Sequence, residues 1–246
     1  ERAAADRSWA YGHVIIDEAQ ELSAMAWRMV LRRNPARSLT VVGDVAQTSS
    51  PAGARSWPEM LDPLMGGRWR EERLTINYRT PAEIMALAAS VLAAVAPDER
   101  PPDSVRSEGV GPRAVRVPAN RPGSAAECVA EVARADLAEI GGPEGGRLAV
   151  ITPDARAAEL AAAIPEAVPG DQPESLDSPA ALLTVAQAKG LEFDRVVIAD
   201  PAGIIGQSPN GGHDLYVAIT RATHRLTVVY EGELPAPLRA LETLGP

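Results

Sequence analysis

The sequence predicts an α/β fold of parallel sheets with helices on both faces. Two observations carry that prediction. Short β-branched runs alternate along the chain with amphipathic stretches at helical spacing, so strands are separated by helices, the order that builds parallel sheets. Polar and chemically specific residues follow those runs, at the strand ends where open parallel sheets bind their ligands.

Taken in order, His13–Ile16 reads as a buried strand ending at Asp17. Ser23 is placed to cap a helix that carries Trp27, Val30 and Leu31 on one face. Leu39–Val42 is a second strand, ending at Gly43-Asp44. Thr80-Pro81-Ala82-Glu83 has the form of a capping box with proline in the first helical position, ahead of Ile84, Leu87, Val91 and Val95 at helical spacing. Residues 96–123 contain six prolines and read as a long connection with one short strand near Val115–Val117. Ser124–Glu127 opens another capped helix, with Val129, Val132, Leu137 and Ile140 on its apolar face. The expected order then continues with strand Leu148–Ile151, a helix from Pro153, a proline-rich loop over 165–179 and strand Leu182–Val185. Strand Val196–Ile198, a helix around Leu215–Ala222 and strand Leu226–Tyr230 close it.

Composition narrows the classes. The 24 basic and 33 acidic side chains give a net charge of −9, which argues against a globally basic nucleic-acid coat but leaves room for a local arginine-lined groove. The 20 glycines and 22 prolines of 246 residues fall below the roughly 25–30% that marks low-complexity disorder. No apolar run approaches the ~18–20 residues needed to span a bilayer and no signal peptide opens the chain, so a soluble protein without a membrane partner is expected. The one cysteine, Cys128, allows no internal disulfide and points to a reducing, cytoplasmic setting. It falls on a helix beside Val129 and reads as core packing. His13, His213 and His224 show no ligand spacing, so no structural metal is expected. Trp27 reads as core, Trp57 as a cap on the domain edge, and Arg32-Arg33 with the Arg70–Arg73 run as solvated faces.

The strand ends carry the chemistry. Asp17-Glu18, after Val14–Ile16, could hold Mg²⁺ through water with the first carboxylate and orient an attacking water with the second. Gln47, after Val41-Val42-Gly43-Asp44, has an amide able to touch a phosphate. Arg79 precedes a helix N-terminus, where a guanidinium beside free N–H groups favours an anion. Thr184–Phe193 places the only lysine, Lys189, and the only phenylalanine in one loop. Arg221 ends the apolar helix, and a buried arginine there calls for a carboxylate or a phosphate.

Together the series DEAQ, VVGDVAQ, LTINYRTP, TVAQAKGLEF and YVAITRA resembles motifs II to VI of the superfamily 1 helicases, the UvrD/Rep/PcrA group, from about residue 12 to 230. That resemblance implies a RecA-like fold: the end of a first RecA-like domain over residues 1–72 and a complete second one over 73–246. It further implies that ATP with Mg²⁺ is bound and hydrolysed at a cleft between the two. Asp17 would hold the metal and Glu18 activate the water, while Gln47 senses the γ-phosphate. Tyr78 would stack on the adenine, Arg79 touch the γ-phosphate, Glu192 hydrogen-bond the ribose with Gly190 permitting close approach, and Arg221 act as arginine finger. Thr184 and Lys189 would couple to nucleic acid.

The pattern departs from the group at three places. The only lysine follows Ala188, so the chain holds no G-x-x-x-x-G-K-[ST] phosphate loop, and Gly141–Gly146 cannot substitute. The family carries that loop upstream of motif II. The chain, which starts at Glu1, is therefore expected to be part of a longer protein whose amino-terminal portion it lacks, inactive as an ATPase and without tightly bound cofactor by itself. No aromatic residue follows Gln47 before Trp57, where the UvrD group stacks single-stranded bases. Finally, about a hundred residues separate Arg79 from Thr184, too few for a large inserted subdomain. DEAQELS with GDVAQTSS and the compact second domain look most like the HelD family, helicase-like ATPases that bind RNA polymerase and help clear it from DNA. RNA polymerase core is the partner this implies. The alternatives are a DNA-translocating repair helicase acting mainly on single-stranded DNA, and a non-catalytic binding module regulated by nucleotide.

Overall fold

The computed structural model describes residues 9–48, 50–97, 99–118, 124–141 and 145–243. The chain forms two compact units, Glu1–Arg73 and Leu74–Pro246.

In the first unit, β1 (Val14–Ile16) pairs in parallel with β2 (Leu39–Val41), Val14 opposite Leu39 and Ile16 opposite Val41. Between them runs α1 (Ala24–Arg33), whose N-cap Ser23 accepts a hydrogen bond from the Ala26 N–H at 3.2 Å. A second helix, α2 (Trp57–Met65), is capped by Ser56 and stopped by Gly66 in the left-handed conformation. Trp27 is buried with Ile16, Ala19 and Leu61, and Val30, Leu39, Val41 and Trp57 pack around them. Trp57 thus lies at the edge of this core, while Arg70 pairs with Glu72 in solvent.

The second unit is built on a six-stranded, wholly parallel sheet in the order β5-β10-β9-β6-β8-β7. Its strands are β5 (Arg113–Arg116), β6 (Leu148–Thr152), β7 (Val168–Pro169), β8 (Ala180–Thr184), β9 (Phe193–Ala199) and β10 (Ala222–Tyr230). Ahead of them β3 (Ile76–Asn77) and β4 (Asp103–Ser104) form a small parallel pair. The central strands are apolar on both faces, as a covered parallel sheet requires. On one face Leu148, Val150, Leu182, Val197 and Val229 meet Val129, Ala133 and Leu160 from α4 (Ser124–Ile140) and α5 (Ala157–Ala163), together with Ile164 just past α5. The other face meets α3 (Ala82–Val95) and α8 (Gly211–Thr220), which pack on each other; two shorter helices, α6 (Val185–Ala188) and α7 (Pro201–Gly206), complete the set. Cys128 is half-buried against the α4 core, and burial, with the nearby Glu131 carboxylate, pushes its thiol pKa up.

Four local expectations change. The capping box at Thr80–Glu83 does not form. Pro81 is the N-cap, with no side-chain cap bond, and the Glu83 carboxylate turns outward to accept from the Ser107 hydroxyl and the Gly109 N–H. At the start of α3 the Ala82 N–H donates to the Arg106 carbonyl at 2.8 Å. The connection over 96–123 carries β4 as well as β5, and the loop over 165–179 carries β7. Each missed strand is two residues long, too short to show alternation. Last, Val185 opens α6 and does not extend β8, because Thr184 and Gln187 make a reciprocal capping box at that point. Ser49, the Ser124 side chain and residues 142–144 of the glycine-rich stretch lie outside the described residues.

Candidate functional site

In the first unit the strand ends are tied together by one buried amide. Gln20 is fully buried in the turn after β1. Its Oε1 accepts from the Asp44 N–H at 3.1 Å, and its Nε2 donates to Glu18 Oε2 at 2.6 Å. Both ends of the amide are thereby satisfied, the condition for keeping such a group in a core. Gly43 makes room for it: a Cβ there would run into Gln20 Oε1 and crowd Trp57. Asp44 in turn accepts from the Ala46 N–H and from Gln47 Nε2, each at 2.9 Å. Glu18 and Gln47 are thus bonded to a common link, Gln20–Asp44, that joins the first strand end to the second.

Glu18 has φ 49° and ψ 37°, the left-handed region that a glutamate occupies at a cost on the order of 1–3 kcal/mol. Its N–H donates to Asp17 Oδ1 at 2.9 Å and its carbonyl accepts from the Glu21 N–H at 3.0 Å. Asp17 and Glu18 are both exposed. The oxygen-only, hydrated character of Asp17 suits Mg²⁺, which keeps most of its waters and takes one or two carboxylates. Among the described residues no group of three or more His, Cys, Asp and Glu side chains could hold a metal by itself.

In the second unit, three segments distant in sequence converge. Arg79, just before α3, pairs through Nη1 with Glu192 Oε1 at 2.5 Å, just before β9. Arg221, at the end of α8, is buried, and its Nη1 donates to the Leu191 carbonyl at 3.3 Å. The Val217 carbonyl and Thr220 Oγ1 accept from the same guanidinium, so neutral acceptors take part in its desolvation compensation. The strand pairing closes this corner, since the Phe193 N–H donates to the Arg221 carbonyl at 3.0 Å.

Backbone contacts fix the pieces. The Arg79 N–H donates to Asn77 Oδ1 at 2.8 Å, and the Arg79 carbonyl accepts from Arg106 Nη1 at 3.2 Å. Gly190 has φ 70°, which an L side chain rarely adopts, and it lets the chain turn from α6 into Leu191-Glu192. Tyr78 lies apart from these bonds and is 73% exposed, a placement open to stacking. Thr184 caps α6, where its Oγ1 accepts from the Gln187 N–H, and Lys189 is half-buried at the helix end. Gln20, Asp44 and Arg106 hold site residues in place, yet the sequence reading assigns them no role. The hint available is that Gln20 and Asp44 sit inside the two quoted strand-end motifs.

Residues 179–229 match the family model of the UvrD-like helicase C-terminal domain, a segment running from the start of β8 to β10 that includes Thr184, Lys189, Gly190, Glu192 and Arg221. No curated protein matches the chain. Among solved structures it is similar to the carboxy-terminal domain of a possible DNA helicase from Lactobacillus plantarum, at 23% identity and a TM-score of 0.47, over 66% of this chain and 92% of that one. It is also similar to the helicase of the virus PRRSV, at 20% identity and a TM-score of 0.46, and to an arterivirus helicase, nonstructural protein 10, at 17% and 0.46. The chain covers 36% and 42% of those two viral proteins. Among the described residues no helix is long and apolar enough to cross a membrane.

Proposed function

We propose that this chain is the carboxy-terminal motor portion of a superfamily 1, HelD-like ATPase, a cytoplasmic protein whose parent hydrolyses ATP and acts on RNA polymerase bound to DNA. The observation that carries the reading is the convergence of Arg79, Glu192 and Arg221, each from a different one of the late motifs. The exposed Arg79–Glu192 pair suits a nucleotide, the cation for phosphate oxygens and the carboxylate for sugar hydroxyls, and Arg221, buried next to it, is tied to this corner through the Leu191 carbonyl. Tyr78 supplies a flat apolar face for the base, and Arg221 stabilises charge on the transferring phosphoryl group, a class of contact worth roughly 10³–10⁵ in rate.

On this reading Glu18 orients the attacking water and Gln47 touches the γ-phosphate, while Asp17 would hold Mg²⁺, which would supply neutralisation of phosphate charge. The parent supplies the phosphate loop, and Thr184 and Lys189 couple the site to nucleic acid. The polymerase partner belongs to the HelD-like reading, and what supports it is that the described residues between Arg79 and Thr184 include α3, α4, α5 and strands β4 to β8 of the second unit, where a duplex-unwinding relative has a further subdomain.

Steady-state ATP hydrolysis by the parent, with single-stranded DNA in one series and core RNA polymerase in another, tests this. Binding to polymerase with little response to DNA supports the proposal. Stimulation by DNA alone, steeply salt-dependent, replaces the HelD-like reading with a translocating helicase. Glu18→Gln and Arg221→Ala are each expected to nearly abolish turnover, and full turnover in both sinks the ATPase assignment.

A further inference from the structure

The second unit already holds an anion on Arg79, and that anion is its own Glu192. The two side chains are 51% and 36% exposed, so a ligand in solvent reaches both. Their backbones are pinned, Arg79 by Asn77 and Arg106 and Leu191-Glu192-Phe193 by Arg221 and the strand pairing. Exchange of partners therefore needs only side-chain rotation and leaves the fold in place.

We propose that Glu192 is an internal counter-anion that makes this corner select a phosphate carried on a hydroxyl-rich sugar over a bare polyphosphate. The inference rests on the nucleotide reading of the site and adds the source of its selectivity. A phosphate that takes the Arg79 guanidinium evicts the Glu192 carboxylate, leaving it unpaired beside a second negative group. Like charges at that range repel, and the carboxylate loses its charge-assisted bond. A nucleotide repairs the loss, because its ribose hydroxyls donate to the displaced carboxylate. Inorganic tripolyphosphate carries no sugar hydroxyls to hold the displaced carboxylate, and so it meets more of the competition than a nucleotide does. Glu192 thereby acts by rejection of the wrong ligand as much as by contact with the right one.

The test follows the Arg79 Nε–Hε resonance of the 246-residue chain, assigned by its loss in Arg79→Lys, during titration with tripolyphosphate and with ATP, in the wild-type and Glu192→Gln forms. In the ligand-free protein the substitution is expected to shift the resonance, because the ion pair is gone. Tripolyphosphate affinity is expected to rise by roughly two- to fivefold in Glu192→Gln, the range of an exposed ion pair, while ATP affinity stays level or falls. A resonance unmoved by the substitution, or tripolyphosphate affinity unchanged or lowered, overturns the proposal while the site reading stands. If neither ligand moves the resonance in either form, the nucleotide reading of this corner falls, and the proposal with it.

Discussion

Gln20 bonds to Glu18: its amide nitrogen lies 2.6 Å from the Glu18 carboxylate, while its amide oxygen takes the Asp44 N–H at 3.1 Å. One buried side chain thus holds an exposed carboxylate in orientation and locks the turn after β1 to the turn after β2. Gln20→Leu strips both bonds and leaves the Asp44 N–H facing an apolar group. A loss of about 1–3 kcal/mol is expected, the desolvation penalty of an unpaired buried donor. Urea unfolding checks it, and a change within ±0.5 kcal/mol would show that the amide link carries no stability.

Gly43 lines the same link from the other side. Its Cβ position is already filled by Gln20 Oε1, with the Trp57 ring and the Ala19 nitrogen close behind. Gly43→Ala is expected to push the amide off the Asp44 N–H at a cost of about 1–3 kcal/mol, as overpacking typically does. In the Gln20→Ala background the same change should cost much less, because the obstacle is gone. Additive losses in that double-mutant cycle would mean that Gly43 is required for some other reason.

The parallel α/β architecture was legible because its signal is long-range and repetitive: β6, β8, β9 and β10 are apolar runs bounded by helical periodicity, and each overlaps the run the pattern marks, although β8, β9 and β10 start earlier than expected and β8 stops before Val185. The corner residues Arg79, Glu192 and Arg221 were legible as separate motifs. Their pairing was not, since it depends on the return of the chain from α6 to β9 and from α8 to β10. Short elements escaped for a physical reason. β4 and β7 are held by neighbouring strands, not by their own propensity, and two residues carry no period. At Thr80–Glu83 local chemistry favoured a capping box, and a distant loop outcompeted it. Ser107 and Gly109, twenty-four and twenty-six positions on, offer Glu83 better donors than its own helix does.

Asp136 shows how burial ranks ion pairs. Its side chain is 1% exposed and lies 3.3 Å from Arg113, 3.0 Å from Arg195 and 3.9 Å from Arg225. Glu139, which also pairs with Arg195 and Arg225, is 52% exposed. Asp136→Asn leaves guanidiniums partly buried without their central charge and is expected to cost about 3 kcal/mol, the lower end for a broken buried pair because Arg113 reaches solvent. Glu139→Gln, at an exposed carboxylate screened by solvent, is expected to cost much less. Denaturant unfolding of both variants checks the order, and equal losses would contradict it.

Glu83 gives the α3 entrance a pH dependence. The Ser107 hydroxyl, its own backbone N–H and those of Gly109 and Glu108 hold its pKa below the ordinary 4.5. A carboxyl depressed in the folded state contributes stability that is whole above its unfolded value and is lost as pH falls through the folded one. The clasp between α3 and the 104–109 loop is therefore intact at pH 7 and loosens only in acid below 4.5. Glu83→Gln keeps one acceptor oxygen and removes the charge, so its melting temperature is expected to lie below wild type at pH 7, with the gap closing as pH drops through that window. The same loop carries Arg106, whose carbonyl takes the Ala82 N–H and whose guanidinium takes the Arg79 carbonyl. Amide exchange at Ala82 should accordingly quicken in Glu83→Gln at neutral pH. A melting gap that stays constant from pH 7 down to about 3 would show that the Glu83 charge plays no part in the clasp.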